Sequence, residues 1–379
     1  MNAGADSGAA DPLRTIRQGV TGLRLAQRRP ADVRTSRWRW RRAVWASLGA
    51  GTIALLGWSA PRGTAATPVP LVVYSAQGYD SAVTKAFQAA TGIPVALVDN
   101  STGPLLVKVQ AERNNPKWAV LWVDGDEAFA ALDQQHMLIR GYQPNAPFNA
   151  IGRSLIPANR SYIPTGVTMA GTLVYNRTTV SSPPAAWGDL LSPTWKGAVG
   201  MNNPSISGPT YPFVAGLFNF FGGVPEGQKF LLALKANGLK VYRRNGDTLH
   251  ALETGEIRLA LIQSTAGIGA GTKSPDIKTA FIRPTTPIPS VIGIDAQVSQ
   301  DQIAEAKQFA EFVLSPQGQD AMKGADPTGD SLYWPVVDGV APLPALPALS
   351  TVPTKTIDPY KWGALEDSIN SWFVDNLAQ

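Results

Sequence analysis

Between residues 71 and 135 the sequence repeats one plan three times, and this repetition narrows the fold more than any other feature of the chain. Short apolar runs at 71–74, 95–99 and 120–123 each lead into a polar turn and then an amphipathic stretch. The turns are Ser75-Ala76-Gln77-Gly78-Tyr79-Asp80, Asn100-Ser101-Thr102-Gly103-Pro104 and Asp124-Gly125-Asp126. Val83, Phe87 and Ala90 fall on one face of the first predicted helix, Gly92 ends it, and Pro104 suits the first turn of the second. Strand, turn and helix in succession predict an α/β fold with a parallel sheet covered by helices. In such sheets ligands bind at the carboxyl ends of the strands. Gln77, Tyr79, Ser101, Thr102 and Asp124 are therefore candidate ligand residues, although each turn is equally explained by ordinary turn chemistry.

The plan recurs further along. Residues 145–166 look irregular, and 172–176 read as a strand that crosses into a second lobe through a polar loop at 177–184. A strand ending at Met201, a helix from Phe213, helices at 226–236 and 248–253, and strands at 240–244 and 259–263 build a second α/β unit. Strand-like runs at 279–283 and 290–298 return the chain to the first lobe, and two crossings make a hinge. The expected division is a leader at 1–66, lobe I at 67–173 and 284–345, and lobe II at 174–283 and 346–379. Helices are expected at 302–314 and 364–377, separated by a Pro-rich surface stretch at 341–359.

The junction Met201-Asn202-Asn203-Pro204-Ser205-Ile206-Ser207-Gly208-Pro209-Thr210-Tyr211 passes from a strand into a helix. Unpaired N–H groups and the helix dipole favour an anion at such a start. Ser207, Gly208, Thr210 and Tyr211 form a candidate anion cradle, with Asn245 and Ser264 at neighbouring strand ends as further donors. A plain N-cap and turn would read the same way. Asp124 and Asp126 would face it as an acidic wall, which suits a zwitterion or an amine-bearing phosphate or phosphonate, unless both are merely solvated.

The chain of 379 residues carries 33 Lys and Arg against 28 Asp and Glu, a net charge of +5. Eleven Arg and three Asp fall in residues 1–66, so the remainder, with 22 basic and 25 acidic residues, is mildly acidic and nucleic-acid binding loses its support. The leader has the parts of a cleavable export signal: Arg37-Trp38-Arg39-Trp40-Arg41-Arg42, an apolar run at 43–58, and small residues at Thr64-Ala65-Ala66. A retained anchor, and with it a membrane-tethered sensor, is the competing reading. Cysteine is absent, which removes disulfides, thiolate chemistry and a lipid-modified Cys, and favours a freely diffusing periplasmic protein; a monomer is expected. His136 and His250 lack metal-ligand spacing, so no metal is expected. Ala266-Gly267-Ile268-Gly269-Ala270-Gly271 fails the dinucleotide pattern and reads as a flexible loop; no nucleophile elbow or phosphate loop occurs, so neither a cofactor nor an enzyme is implied.

Seven short runs occur in an order that resembles a known family. They are Val73-Tyr74-Ser75-Ala76-Gln77, Ala89-Ala90-Thr91-Gly92-Ile93, Trp187-Gly188-Asp189-Leu190, Trp195-Lys196-Gly197, Ser207-Gly208, Leu252-Glu253-Thr254-Gly255-Glu256 and Ala306-Lys307-Gln308-Phe309. The family is that of the periplasmic solute-binding proteins of ABC importers, in the branch with ferric-binding and 2-aminoethylphosphonate-binding members. The resemblance covers residues 71–334 and implies a two-lobe type II binding-protein fold and an inner-membrane ABC permease as partner. Ferric members have a His where Gly78 stands and Tyr ligands where Gln263-Ser264-Thr265-Ala266 stands. The turn matching Ser207-Gly208 holds a synergistic phosphate in those proteins, with an Asn similar to Asn245; Pro209, which has no N–H, is a departure. The resulting expectation is a small anionic, phosphorus-containing solute, with Asp124 selecting an ammonium group and Tyr79 and Tyr211 covering the ligand. A ferric site built from Tyr79, Asp124, Tyr211 and a borrowed anion, and a nucleotide enzyme on the Gly267 loop, are the alternatives.

Overall fold

The structure is a computed structural model that describes residues 69–378; the leader lies outside the described residues. The three repeated units form β1 (Leu71–Ser75), α1 (Asp80–Thr91), β2 (Val95–Asp99), α2 (Thr102–Ala111), β3 (Val120–Asp124) and α3 (Asp126–Gln134). After α4 (Ala150–Leu155) comes β4 (Ile163–Ala170), in a stretch expected to be largely irregular. Its sequence, Ile-Pro-Thr-Gly-Val-Thr-Met-Ala, lacks polar and apolar alternation because all eight residues are buried. Through Gly171 the chain passes directly into β5 (Thr172–Asn176).

The second half continues with β6 (Val199–Asn202), α5 (Thr210–Phe221), α6 (Val224–Ala236), β7 (Lys240–Tyr242), α7 (Asn245–Glu253), β8 (Leu259–Ile262), α8 (Ser264–Lys273) and β9 (Ile277–Ala280). It then returns through β10 (Thr286–Ile294), α9 (Gln300–Leu314) and α10 (Pro316–Ala325), and ends in α11 (Pro359–Gly363) and α12 (Glu366–Leu377). The glycine run at 266–271 is not a flexible loop but the body of α8. A Cβ on Gly269 would lie 1.9 Å from the Thr328 carbonyl oxygen, so the small residue serves close packing.

Two five-stranded sheets result, in the orders β2-β1-β3-β10-β4 and β7-β6-β8-β5-β9. Each has three parallel strands, as the repeated plan requires, but neither is wholly parallel. β10 runs antiparallel to β3 and β4, and β5 runs antiparallel to β8 and β9. These two are the strands that arrive from the other lobe, and each is inserted beside the third parallel strand.

The first lobe's core gathers Val73, Phe87, Trp122 and Phe309, with the rings of Phe87 and Phe309 edge to face at 5.2 Å. The second gathers Met201, Phe218, Leu231 and Leu261. The C-terminal tail belongs to both. Leu346 and Val352 pack in the first core, whereas Trp362, Ile369, Phe373 and Leu377 pack in the second. The tail therefore changes lobes after Val352, not at residue 346, and adds a third passage to the two between β4 and β5 and between β9 and β10. Among the described residues no helix is long and apolar enough to cross a membrane.

Candidate functional site

All six parallel strands deliver their carboxyl ends to one place between the lobes. Ala76 after β1, Ser101 and Thr102 after β2, and Asp124 at the end of β3 meet Ser207 and Gly208 after β6, Arg244 and Asn245 after β7, and Gln263 after β8. They surround a cavity of about 250 Å³, which Asp330 completes from the loop after α10. A larger groove of about 950 Å³ runs between α2, α3 and α12; it adjoins the smaller cavity at Thr102 and Gly208, but Leu106, Val107 and Val374 give it apolar stretches. The smaller cavity holds the converging chemistry.

Its second-lobe wall is organised by Asn202, which is buried at the end of β6. The Asn202 amide donates to Ser207 Oγ at 3.3 Å and to Asn245 Oδ1 at 2.6 Å, and Asn202 Oδ1 accepts from Thr248 Oγ1 at 2.5 Å. Ser207 Oγ is thereby an acceptor within the protein, which leaves its own hydroxyl hydrogen for the cavity. The backbone cradle expected from the sequence is mostly spent. The N–H groups of Ser207, Thr210 and Tyr211 donate to the carbonyls of Asn203, Ser207 and Gly208 at 2.9, 3.0 and 3.3 Å. Pro209 has none, so Gly208 N–H is the donor that remains.

More donors come from α7. The N–H groups of Asp247 and Thr248 turn back to the Arg244 carbonyl, at 3.1 and 3.2 Å, whereas those of Asn245 and Gly246, which line the cavity, have no backbone partner among the described residues. Arg244 lines the same space, and its guanidinium makes no ion pair among the described residues. The amino ends of α2, α5 and α7 thus converge with one unpaired cation, an arrangement that favours an anion.

The first-lobe wall is acidic. Asp124 accepts from Gln77 Nε2 at 2.9 Å, Ser290 Oγ at 2.5 Å and Gln263 Nε2 at 2.7 Å. Burial pushes its carboxyl above the usual range, and these three hydrogen bonds pull the other way. Gln263 belongs to the second lobe, so Asp124 ties the lobes together. Asp330 Oδ2 accepts from Gly78 N–H at 2.7 Å, and Thr265 Oγ1 of the second lobe stands 3.5 Å from Oδ1. Burial, with the neighbouring Asp124 charge second, raises Asp330 to about 7. Asp126 is not part of this wall; it lines a separate cavity with Glu127, Tyr162 and Tyr360.

The lobes also touch beside the cavity. Gly103 N–H donates to the Ile206 carbonyl at 3.4 Å. A Cβ on Gly103 would lie 2.1 Å from the Ser205 carbonyl oxygen, and one on Gly208 would lie 2.3 Å from Thr102 Oγ1.

Of the residues proposed from the sequence, Ser101, Thr102, Asp124, Ser207, Gly208 and Asn245 line the cavity. Gln77 stands behind Asp124. Four are placed elsewhere. Tyr79 lies in the first core, its ring 5.3 Å from Trp122 and its hydroxyl 3.5 Å from Ser290 Oγ. Tyr211 lies in the second core and donates to the Trp362 carbonyl, so neither tyrosine covers the cavity and the ferric trio with Asp124 is not assembled. Thr210 is buried in the first turn of α5, and Ser264 Oγ accepts from Met169 N–H at 3.0 Å on the crossing strand. Sequence reasoning missed Arg244, Asp330 and Asn202. Arg244 directly precedes an Asn-Gly helix start at a strand end, and that was a usable signal. Among the described residues, no group of three or more His, Asp or Glu is placed to hold a metal ion.

Residues 82–354 match the family described as bacterial extracellular solute-binding protein. A putative 2-aminoethylphosphonate-binding periplasmic protein of Salmonella paratyphi A is 27% identical over 62% of this chain and 68% of its own length. The major ferric iron-binding protein of Neisseria meningitidis serogroup B is 28% identical over 68% of this chain and 80% of its own. The periplasmic binding protein AfuA of Actinobacillus pleuropneumoniae, solved with fructose-6-phosphate bound, superposes with a TM-score of 0.71 over 82% of this chain and 98% of that one, at 17% identity. The two sheets with their helices are the type II periplasmic binding-protein fold. The chain belongs to the bacterial extracellular solute-binding protein family, the substrate-binding components of ABC importers and not enzymes.

Proposed function

We propose that this protein captures a small phosphonate or phosphate ester in the periplasm, between its two lobes, and hands it to an inner-membrane ABC permease. The carrying observation is the convergence of three helix amino ends and the unpaired Arg244 on a cavity of about 250 Å³. A volume of that size suits a solute of few atoms, not a nucleotide or a chelated siderophore. The similarity to the putative 2-aminoethylphosphonate-binding protein of Salmonella supports a phosphonate of the 2-aminoethylphosphonate type. Export by cleavage of the leader and a monomeric state complete the proposal.

The anion meets Arg244, Gly208 N–H, the Asn245 and Gly246 N–H groups and the Ser207 hydroxyl. Charge-assisted hydrogen bonds contribute about 1.5–3 kcal/mol each. Several of them, discounted for lost ligand freedom and lobe closure, give micromolar affinity, about 8 kcal/mol. The test is a thermal-denaturation screen of ligand-stripped protein with 2-aminoethylphosphonate, phosphate, fructose 6-phosphate and ferric citrate. A ligand at about a thousand times its Kd stabilises by about 4 kcal/mol. The expected result is a raised Tm with a phosphonate or phosphate compound. Stabilisation by ferric citrate alone would favour iron capture and overturn the proposal.

A further inference from the structure

We propose that Asp330, not Asp124, is the residue that receives a cationic group of the ligand, which makes the preferred solute a zwitterion with an anionic phosphonate at one end and a primary ammonium at the other. This rests on the anion reading of the same cavity and adds the second half of the ligand.

Both carboxylates line the cavity, but they differ in what they have left to offer. Asp124 takes three hydrogen bonds from uncharged side chains, Gln77 after β1, Ser290 within β10 and Gln263 after β8, and one of its oxygens already serves two donors. Its other oxygen, Oδ2, already receives Gln263 from the second lobe, so a further donor there would crowd the contact that ties the lobes. Asp330 is less committed. Oδ2 receives one backbone N–H from Gly78, and among the described residues the only hydrogen bond of Oδ1 is from the Thr265 hydroxyl at 3.5 Å, the limit of a hydrogen bond. Oδ1 therefore has lone pairs to give to an ammonium group.

The surroundings of Asp330 strengthen the assignment. Asp124 faces it from the end of β3, Asp326 from the end of α10, and the Tyr79 hydroxyl from the turn before α1. Asp326 is turned to backbone, with Oδ2 accepting from Asp330 N–H at 2.8 Å. Among the described residues Arg244 is the only cationic residue that lines the cavity, and it pairs with neither Asp124 nor Asp330. Two neighbouring carboxylates without a resident cation repel each other, and a ligand ammonium between them relieves the repulsion. The lobe that supplies the cationic receptor is thus the first, and the lobe that supplies the anion donors is the second. A zwitterion engages both at once, so its binding favours contact between the lobes.

The test compares two ligands that share the anion and differ in the amine, 2-aminoethylphosphonate and ethylphosphonate. Both are titrated calorimetrically into ligand-stripped full-length protein, as wild type, Asp330→Asn and Asp124→Asn, between pH 5.5 and 8.5. The wild type is expected to prefer the amine compound by about tenfold or more, with the preference growing as pH rises and Asp330 ionises. In Asp330→Asn the preference falls to about threefold or less and loses its pH dependence, while ethylphosphonate still binds, which shows that the fold and the anion site survive. Asp124→Asn weakens both ligands together. An Asp330→Asn protein that keeps the full preference overturns the proposal, as does a wild type that binds both compounds equally, and in both cases the anion reading stands. A wild type that binds neither compound removes the anion reading itself and this proposal with it.

Discussion

Asn202 shows how one buried side chain fixes a binding wall. It joins Ser207, Asn245 and Thr248 through hydrogen bonds of 3.3, 2.6 and 2.5 Å, so Asn202→Ala strands three polar partners at once. We expect a loss of about 1–3 kcal/mol in urea-unfolding free energy together with weaker anion binding; unchanged unfolding would remove its organising role. Gly103→Ala separates closure from stability. Alanine is the better helix former in α2, but its Cβ would meet the Ser205 carbonyl 2.1 Å away. Ligand affinity should fall about tenfold or more while Tm holds or rises, and an undiminished affinity would mean that this contact is not part of the bound state. The sequence exposed those site residues that sit in a turn directly after a strand: Ser101, Asp124, Ser207 and Asn245. It hid Asp330, which lies far along the chain on the loop after α10 and reaches the cavity only through tertiary packing. It misassigned Tyr79 and Tyr211 because a residue beside a strand end can turn inward as easily as outward, and an aromatic ring gains more by burial.

At the level of elements, strands with apolar runs and helices with clear caps were legible, and β4 was not. Pro164, Gly166 and two threonines disguise a strand that is buried on both faces. The glycine run in α8 misled for a related reason: close packing against the 328 backbone selects small residues inside a helix. One feature of α3 and α12 governs pH behaviour. Burial pushes Asp126 to about 7, Glu366 to about 8, and Glu127 well above the usual carboxylate range. Glu127 Oε2 has no hydrogen-bond partner among the described residues. These groups have higher pKa values folded than unfolded, so the folded state binds more protons between about pH 4 and pH 8. Their contribution to stability is therefore full at the acid end and is lost as pH rises through that window. Scanning calorimetry should give a higher Tm at pH 5 than at pH 8.5, and Glu127→Gln should narrow the gap by about 2–4 °C. A Tm that climbs towards pH 8.5 would contradict this assignment.

On the scale of the whole molecule, the repeated strand, turn and helix plan foretold two α/β lobes, because six short parallel strands need helices on both faces of each sheet. The antiparallel insertion of β5 and β10 was not legible, since pairing partners far apart in sequence leave no local mark. Contacts between the lobes, Gln263 to Asp124 and Gly103 to the Ile206 carbonyl, lie beside the cavity. The central claim is that the cavity binds a small phosphonate or phosphate through Arg244 and the surrounding helix amino ends. Its most direct test is a calorimetric titration of 2-aminoethylphosphonate into protein freed of bound solute by unfolding and refolding, beside the Arg244→Ala variant. The expected Kd is about 1 μM, or about 8 kcal/mol, weakened about tenfold or more in the variant. Absence of heat with 2-aminoethylphosphonate, phosphate and fructose 6-phosphate alike would contradict it.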